Sequence, residues 1–510
     1  MDKGVDVLIV GAGSAGCVLA ARLSENPAVH VAVLEAGGPA TDPDIAVPQK
    51  WPLLAGRDYD WRYRTTPQAG TAGRAHDWPR GRVIGGSSCL HAMAHVRGAH
   101  EDFRHWCELT GSLRWSYAGL LPAFRKTESF SGGASDQRGA DGPLPVILPD
   151  AELSPVVRAY MAAGLGMGIP WRGDHNRGSL LGVAPNSLTI RAGRRVTVAD
   201  AYLDPIRGRP NLTVMSHATA RSLLVSGRRV TGVTAQVGDR CATVRAGMTI
   251  LCAGAIASPL LLMRSGIGPA RSLAQAGVAC IADHTDIGEN LHDHLLTAGN
   301  VYRAKRPVPP SRLQHSESLT YLNSGDLALA DGAPDIVVAC VAAPTVTECF
   351  ERPVSGTAYT LLSGVTHPTS RGHLTLGGPA IDDPPLIDPA YLTTDHDRQL
   401  ARRALEVARM IGHQPALDEW RAEEVYPGIN CRSNADLDTF LQRAVMTHHH
   451  PVGTCSMGTV VDHNLKLHGF ENVYVVDASV IPSITSGPVH AAVLAIAETF
   501  AAEVAGPMLA

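Results

Sequence analysis

A glycine-rich turn between two apolar segments constrains the fold of this chain more than any other feature. Residues 5–36 read VDVLIVGAGSAGCVLAARLSENPAVHVAVLEA, where a β-branched run meets Gly11, Gly13 and Gly16 and a second apolar run ends at Glu35. In such a strand–turn–helix–strand unit the first glycine allows a tight turn, the second lets backbone approach a pyrophosphate, and the third lets helix and strand pack closely. The pattern predicts an α/β fold with a Rossmann-like nucleotide-binding unit.

The same segment predicts the class of ligand. The first turn of the helix has free N–H groups and the positive end of the helix dipole, which favour a phosphate. Glu35 follows the glycines by about 20 residues, where an acid accepts hydrogen bonds from a ribose. Because a carboxylate there disfavours a 2′-phosphate, NADP is not expected. The motif does not distinguish FAD from NAD.

Two later segments are further candidates for cofactor contact. Residues 77–97, DWPRGRVIGGSSCLHAMAHVR, contain a second small-residue turn at 85–88, where backbone can approach a flat ring or a phosphate. At 472–498 an apolar strand delivers Asp477 to its carboxyl end, where open α/β sheets bind ligands, and a final helix is expected after Pro488.

A third segment, 248–266, predicts a strand followed by a helix. Its sequence places Ser258 as the N-cap, Pro259 at the first helical position and Gly266 just beyond the last turn. A well-capped structural unit and a direct contact to a cofactor both fit this pattern.

Three consecutive histidines, His448, His449 and His450, precede Pro451. Proline disfavours a helical conformation in the residue before it, so we expect an extended segment with His448 and His450 on one face and His449 on the other. The pair suits proton transfer, whereas His449 is more typical of a packing residue. A metal would need a third ligand, for which Cys455 is the nearest candidate, so no metal is expected.

Composition limits the class of protein. The chain has 510 residues, of which 45% are hydrophobic and 18% charged, so it can bury a large core and suggests two domains. A formal net charge of -4 gives no sign of nucleic acid or of an anionic membrane. The 10 cysteines include no CxxC pair, which argues against structural zinc. Without a leader-like segment or a long apolar run, a cytoplasmic protein is expected.

Six segments together resemble the glucose–methanol–choline (GMC) oxidoreductases, FAD enzymes that oxidise alcohols. They are GAGSAG with Glu35, RGRVIGGSS, GAIASPLLLMRSGIG, IGENLHDH, HPVGTCSMG and VVDASVIP, in this order along essentially the whole chain. The resemblance implies that FAD contacts Gly11, Gly13, Ser14, Ala15, Gly16, Glu35, Ala36, Arg82, Val83, Gly86, Ser87, His91, Ala92, Ala220, Asp477, Ala478, Val489 and His490.

The way in which FAD is attached also follows from the resemblance. Some relatives join the flavin covalently to a histidine just after the second glycine turn. The matching position here is Leu90, which cannot form that bond, and His91 stands where relatives commonly carry Asn. Non-covalent FAD is therefore expected.

The resemblance also gives the histidines roles. The family's general base is the histidine before P-x-G-T, here His450, and relatives pair it with Asn or His just before the last helix. That position is Pro488, which has no side-chain donor or acceptor. The segments TSGPVHAAVLAIAE, THHHP, RGRVIGGSSCLHAM and PVPPSRLQHSES narrow the resemblance to members that oxidise pyridoxine.

These likenesses imply an oxidase that converts a primary alcohol to an aldehyde. His450 would take the hydroxyl proton, His448 would position the substrate, flavin N5 would accept a hydride, and dioxygen would become hydrogen peroxide. Oxidation of another aryl or sugar alcohol and a lyase that binds FAD without redox chemistry remain alternatives. An NAD-dependent dehydrogenase or a pure binding protein would leave most of the six segments unexplained.

The resemblance further implies two discontinuous domains. The Rossmann-like FAD-binding domain would comprise 1–150, 191–299 and 446–510. It would be interleaved with an α+β substrate-binding domain of 151–190 and 300–445, built on an antiparallel sheet. The expected partners are a small-molecule alcohol and dioxygen, without nucleic acid or membrane, in a monomer or a small homo-oligomer.

Overall fold

The computed structural model describes residues 4–509, with 505–509 described by their backbone alone. Its α-helices are Ser14–Leu23 (α1), His100–Thr110 (α2), Tyr117–Thr127 (α3), Pro155–Gly166 (α4), Gly254–Arg264 (α5), Ala270–Gln275 (α6), Asp395–Gly412 (α7), Asn434–Ala444 (α8) and His490–Leu509 (α9). Within the same residues, no helix combines the length and the apolar character needed to cross a bilayer.

The strands of the described residues are Val5–Val10 (β1), Val31–Leu34 (β2), Tyr63–Arg64 (β3), Asp77–Trp78 (β4), Glu128–Phe130 (β5), Leu144–Val146 (β6), Gly182–Pro185 (β7), Ile190–Arg191 (β8), Arg194–Arg195 (β9), Leu212–Met215 (β10), Ala218–Ser226 (β11), Arg229–Val237 (β12), Arg240–Leu251 (β13), Ile267–Gly268 (β14), Ala282–Asp283 (β15), Leu295–Thr297 (β16), Val301–Ala304 (β17), Ser316–Leu322 (β18), Ile336–Val341 (β19), Ala358–Val365 (β20), His373–Thr375 (β21), Leu386–Asp388 (β22), Arg421–Tyr426 (β23), Val445–Thr447 (β24) and Val473–Val475 (β25).

The first large sheet is built on parallel strands. Strands β10, β2, β1 and β13 lie side by side in this order, and β25 pairs with the end of β13. The first half of β13 pairs with antiparallel β12, which in turn pairs with β11. Helices α1 and α9 pack against each other beside this sheet. Because the glycine turn joins β1 to α1 and β2 follows in parallel, the predicted Rossmann-like unit is confirmed.

The second large sheet is antiparallel, as predicted. Its strands follow the order β23, β17, β20, β19, β18, β7, and β16 links β20 to β24. Helix α7 packs on β20. Strand β16 already belongs to this sheet although it lies before residue 300, where the substrate-binding segment was expected to resume. The division into two discontinuous domains remains a prediction.

The helix predicted to start after Ser258 begins earlier, at Gly254, so Ser258 and Pro259 lie inside α5. The reason is a distant cap: Asp477 Oδ2 accepts hydrogen bonds from Gly254 N at 2.8 Å and from Ser258 Oγ at 2.6 Å. Sequence patterns within one helix cannot reveal a capping acid that comes from another part of the chain. The prediction of Ser258 as the N-cap was therefore wrong, whereas Gly266 does follow the helix, with a φ of +78°.

Pro259 inside α5 leads to a test of stability. Proline has no N–H to donate to the carbonyl of Ala255, and Thr454 Oγ1 donates to that oxygen instead, at 2.6 Å. Thr454 is fully buried. We expect Thr454→Val to lower the free energy of unfolding by about 1–3 kcal/mol, since it leaves a buried carbonyl unpaired. Denaturant unfolding of the variant and of Thr454→Ser, which keeps the hydroxyl, measures this; equal midpoints would contradict it.

Candidate active site

The two glycine-rich turns predicted to contact a cofactor meet in the fold. Gly85 N donates to Ala12 O at 2.8 Å. A Cβ on Gly86 would lie 2.6 Å from the Cα of Gly13, and Gly86 has a φ of +55°. The turns therefore touch through backbone alone, which leaves no room for a side chain between them.

The start of α1 can hold an anion. Gly13 is the N-cap of α1 and provides no side-chain hydrogen bond, so the first-turn N–H groups of Ser14, Ala15 and Gly16 have no capping partner from it. A Cβ on Gly16 would lie 1.9 Å from Gly11 O, so helix and turn pack as closely as the motif predicts. A ten-residue helix presents its positive end at this point.

Glu35 is buried directly after β2. Its carboxylate accepts from Ala12 N and Gly37 N, each at 2.8 Å, one bond to each oxygen. Each oxygen can accept a further bond, for example from a ribose hydroxyl. Burial raises the pKa of Glu35 to about 7, although these backbone bonds act against the rise.

Four other predicted residues gather around Glu35. Backbone of Arg82 and Val83 lies so close to Gly37 that a Cβ there would collide with it. Ala36 follows Glu35 in the chain, and Ala220 lies in β11 two residues beyond Ala218, whose N–H donates to Glu35 O at 2.8 Å. These residues could line the same nucleotide site.

Asp477 lies at the end of β25, as predicted, but its carboxylate is fully used. Besides the two bonds at the start of α5, Oδ1 accepts from the N–H and the Oγ of Ser479, at 2.8 and 2.5 Å. Burial raises the pKa of Asp477. The side chain therefore organises the neighbouring loop, and a cofactor could contact Asp477 and Ala478 through their backbone.

His91 and His490 face each other across the site, with ring centroids 4.7 Å apart and edge to face. Met93 N donates to Nδ1 of His91 at 3.1 Å, so the proton of a neutral His91 ring is on Nε2. This Nε2 and both ring nitrogens of His490 are buried and have no hydrogen-bond partner among residues 4–509. Ala92 and Val489 adjoin these histidines in the chain, and Ser87 O accepts from His91 N at 3.0 Å. Leu90 packs in a small apolar cluster with Val83 and Cys89.

The histidine triplet is not a strand. Strand β24 ends at Thr447, and His449 has a φ of +65°, a left-handed conformation. Thr447 Oγ1 accepts from His449 N at 2.7 Å, which favours the bend over an extended segment. The fold nevertheless brings the predicted pair together: the ring centroids of His448 and His450 are 4.4 Å apart.

A third histidine joins this pair. Strand β16 pairs with β24 so that Leu295 lies opposite Thr447, and this register places His294 opposite His448, whose N–H donates to His294 O at 2.9 Å. Nδ1 of His294 lies 3.0 Å from Nδ1 of His450. The sequence predicted that the usual partner of His450 is missing at Pro488, and in the structure His294, just before β16, contacts His450 instead.

Asp293 fixes the backbone of the triplet. Its Oδ1 accepts from His450 N at 2.7 Å, and its Oδ2 accepts from Thr447 Oγ1 at 2.5 Å and from Tyr391 OH at 2.6 Å. Trp78 Nε1 donates to the Tyr391 oxygen at 3.0 Å. Burial raises the pKa of Asp293, while these hydrogen bonds and the nearby Arg80 oppose the rise.

The histidines of the site are uncharged near neutral pH. Burial lowers the pKa of His294 and of His448 to about 3, and lowers that of His450 well below its ordinary value. An uncharged imidazole with a free ring nitrogen can accept a proton. The cluster therefore presents its imidazoles in the unprotonated form that proton abstraction requires, although the lowered pKa makes each a weaker base.

Comparison with known proteins identifies the family. Models described as GMC oxidoreductase match residues 5–296 and 368–497. The chain belongs to the GMC oxidoreductase family. It is an FAD-dependent alcohol oxidoreductase.

Individual relatives of this GMC oxidoreductase cover nearly all of it. It is 53% identical over 500 residues to pyridoxine 4-oxidase of Microbacterium luteolum, covering 97% of this chain and 98% of that protein. It is 36% identical over 534 residues to an oxygen-dependent choline dehydrogenase of Ectopseudomonas mendocina, covering 98% of this chain and 94% of that protein. The crystal structure of pyridoxine 4-oxidase from Mesorbium loti matches with a TM-score of 0.96 at 53% identity, covering 98% of this chain and 99% of that one.

The residues present in this GMC oxidoreductase fit FAD. Three features suit the ADP part of FAD. They are the start of α1 without a side-chain cap, the backbone contact of Gly13 with Gly86, and the acceptor oxygens of Glu35. The unpartnered nitrogens of His91 and His490 suit a polar ring system near the second turn. Non-covalent attachment remains a prediction, in keeping with Leu90.

Sequence reasoning missed His294, Asp293 and Tyr391 as parts of the histidine site. The segment IGENLHDH at 287–294 contributed to the family resemblance, but no local pattern assigned its aspartate and histidine to the triplet. The signal that could have found them is the pairing of β16 with β24, which is a tertiary property.

Asp293 provides a test of positioning. We expect Asp293→Ala to lower the free energy of unfolding by about 1–3 kcal/mol, because it leaves the buried N–H of His450 and the hydroxyls of Thr447 and Tyr391 without their common acceptor. Since the backbone of His450 loses its anchor, kcat should fall roughly tenfold or more while KM changes less. Steady-state kinetics and denaturant unfolding measure the two effects. Tyr391→Phe, which leaves the bond to His450 N in place, should lower stability with a smaller fall in kcat; an equal fall in both would refute the positioning role.

Proposed function

We propose that this enzyme oxidises the primary alcohol of pyridoxine to the aldehyde pyridoxal, with dioxygen as electron acceptor and hydrogen peroxide as product. Two relatives at 53% identity are named pyridoxine 4-oxidase, which supports pyridoxine as the substrate. The observation that carries the chemistry is the 3.0 Å contact between Nδ1 of His450 and Nδ1 of His294, beside the ring of His448.

This contact sets the proton positions that a general base needs. Two Nδ1 atoms share one proton, so one ring donates and the other accepts. We assign the shared proton to Nδ1 of His450, which puts the proton of the neutral His294 ring on its Nε2. His294 Nδ1 is then the acceptor and His450 Nδ1–H the donor. Nε2 of His450 is left with a free lone pair for the hydroxyl proton of the substrate.

The other residues orient the alcohol. His448, half-buried next to His450, would hold the substrate oxygen or ring. Pro488 is buried and has no polar side-chain atom, so the orientation of the hydroxyl depends on the histidines. Bound FAD supplies the hydride acceptor, and the protein provides the base, the orientation and a site poor in water. A cytoplasmic location and a monomeric or small oligomeric state remain predictions from the sequence.

The test is anaerobic mixing of the purified flavoprotein with pyridoxine while the flavin absorbance is followed. We expect bleaching by pyridoxine, and recovery of the absorbance with release of peroxide when air is admitted. Bleaching by another aryl or sugar alcohol but not by pyridoxine would keep His450 as the base and discard the substrate. If no alcohol bleaches the flavin, the redox function itself is wrong and a lyase of the same fold is favoured.

A further inference from the structure

The three clustered histidines have the arrangement of ligands around a single ion. One ring nitrogen from each of His294, His448 and His450 lies within 4.8 Å of the others. Nitrogen atoms around a tetrahedral zinc ion, each about 2.0–2.1 Å from the metal, are somewhat closer together, so modest side-chain rotations would complete the site. Three histidine ligands with a fourth open position are a known geometry for zinc.

The surroundings favour a cation at this point. His448 and His450 are half-buried, so an ion can reach them, whereas His294 is buried behind them. The three rings contact one another directly, through the hydrogen-bond contact between His294 and His450 and through tilted ring contacts with His448. The positive Arg80 acts on His450, but the buried carboxylate of Asp293 lies against the His450 backbone and offsets it.

We propose that His294, His448 and His450 form a binding site for a borderline divalent cation such as Zn²⁺ or Cu²⁺, and that the bound ion excludes the alcohol. The exclusion rests on the proposed function, because it requires His450 and His448 to be the groups that hold the substrate. The binding of the ion does not depend on it.

Proton positions change when the ion binds. In the free enzyme one proton lies between Nδ1 of His294 and Nδ1 of His450. For both atoms to bind a metal, this proton moves to Nε2 of His450, and the ring stays uncharged. The same ring nitrogen then can no longer accept a proton, so inhibition follows even before the ion blocks the substrate.

The first experiment is calorimetric titration of the FAD-loaded enzyme with ZnCl₂, with no substrate present. We expect one ion per chain, released by EDTA. His294→Gln and His448→Gln should each weaken binding by at least about 10–100-fold, the range seen even for groups that only support a metal ligand. His449→Asn is the matched control, because His449 lies between two of the ligands but outside the cluster, and Asn tolerates its left-handed backbone.

The second experiment needs no variant. Electron paramagnetic resonance of the unmodified enzyme with one equivalent of CuCl₂ should show nitrogen splitting from imidazole ligands, and Zn²⁺ should abolish that signal. Absence of nitrogen splitting, no binding of Zn²⁺, or equal affinity in all three variants would overturn the site. Binding at the cluster with non-competitive kinetics against pyridoxine would overturn the exclusion. If pyridoxine is not oxidised at all while the binding of Zn²⁺ still depends on His294, the proposed function fails and the metal site stands.

Discussion

Replacing His450 with glutamine is expected to slow oxidation of the alcohol by a factor on the order of 10²–10⁴, the usual contribution of a general base. The carboxamide cannot accept the hydroxyl proton, while its length keeps a polar group near His294. Because His448 still holds the substrate, KM should change far less than kcat. Anaerobic stopped-flow measurement of flavin reduction in His450→Gln and in the unmodified enzyme gives the ratio directly.

The comparison needs a variant from the same triplet. His449→Asn removes an imidazole next to His450 but outside the cluster of ring nitrogens, so flavin reduction should stay within a few-fold of the unmodified rate. Flavin content of both variants must match, since a loss of FAD would mimic a loss of the base. A His450→Gln enzyme that reduces its flavin within tenfold of the unmodified rate would exclude His450 as the base.

Local chemistry made part of this architecture predictable. In the turn at Gly11 to Gly16 backbone segments approach so closely that only glycine fits. The glycines in the sequence therefore predict this geometry. The same holds for the second turn, where Gly86 lies against Gly13. Strands of β-branched residues beside such turns then leave few alternatives to a Rossmann-like unit. The positions predicted to hold the nucleotide gather around Glu35 for this reason.

Properties set by long-range pairing were not predictable. His294 meets His450 because β16 and β24 pair in one register, and a shift of a single residue would separate them. Asp477 caps α5 from a distant loop, so Ser258 appeared to be the cap when the segment was considered alone. Pro451 led us to expect an extended segment before it, but a hydrogen bond from His449 N to the Thr447 hydroxyl favours a bend at His449.

The apparent gap at Pro488 illustrates how the two kinds of information combine. The sequence resemblance implies that proline replaces the usual polar partner of the proposed base. The fold shows that His294, just before β16, contacts His450, the proposed base. The proposed base can therefore have a polar neighbour even where the usual family position has lost one, and the register of two short strands reveals it.

Gly86→Ala is expected to remove most of the bound FAD. The added Cβ would lie 2.6 Å from the Cα of Gly13, and neither backbone can yield without opening the turn at the start of α1. Overpacking of this kind costs about 1–3 kcal/mol, and the left-handed φ of +55° adds about 1–2 kcal/mol for a residue with a Cβ. If a cost of about 3 kcal/mol falls on cofactor binding, the affinity for FAD drops on the order of a hundredfold.

Gly111→Ala separates the collision from the backbone strain in this prediction. Gly111 ends α2 with a φ of +67°, close to that of Gly86, but in the described part of the chain no atom beyond its chain neighbours lies within 4 Å of the position a Cβ would take. Both variants carry similar strain, so a difference in flavin content after purification comes from the contact with Gly13. We expect Gly111→Ala to remain yellow with slightly lower stability, and Gly86→Ala to be largely colourless and to regain activity only with excess FAD. Equal flavin content in the two proteins would show that the glycine contact does not shape the cofactor site.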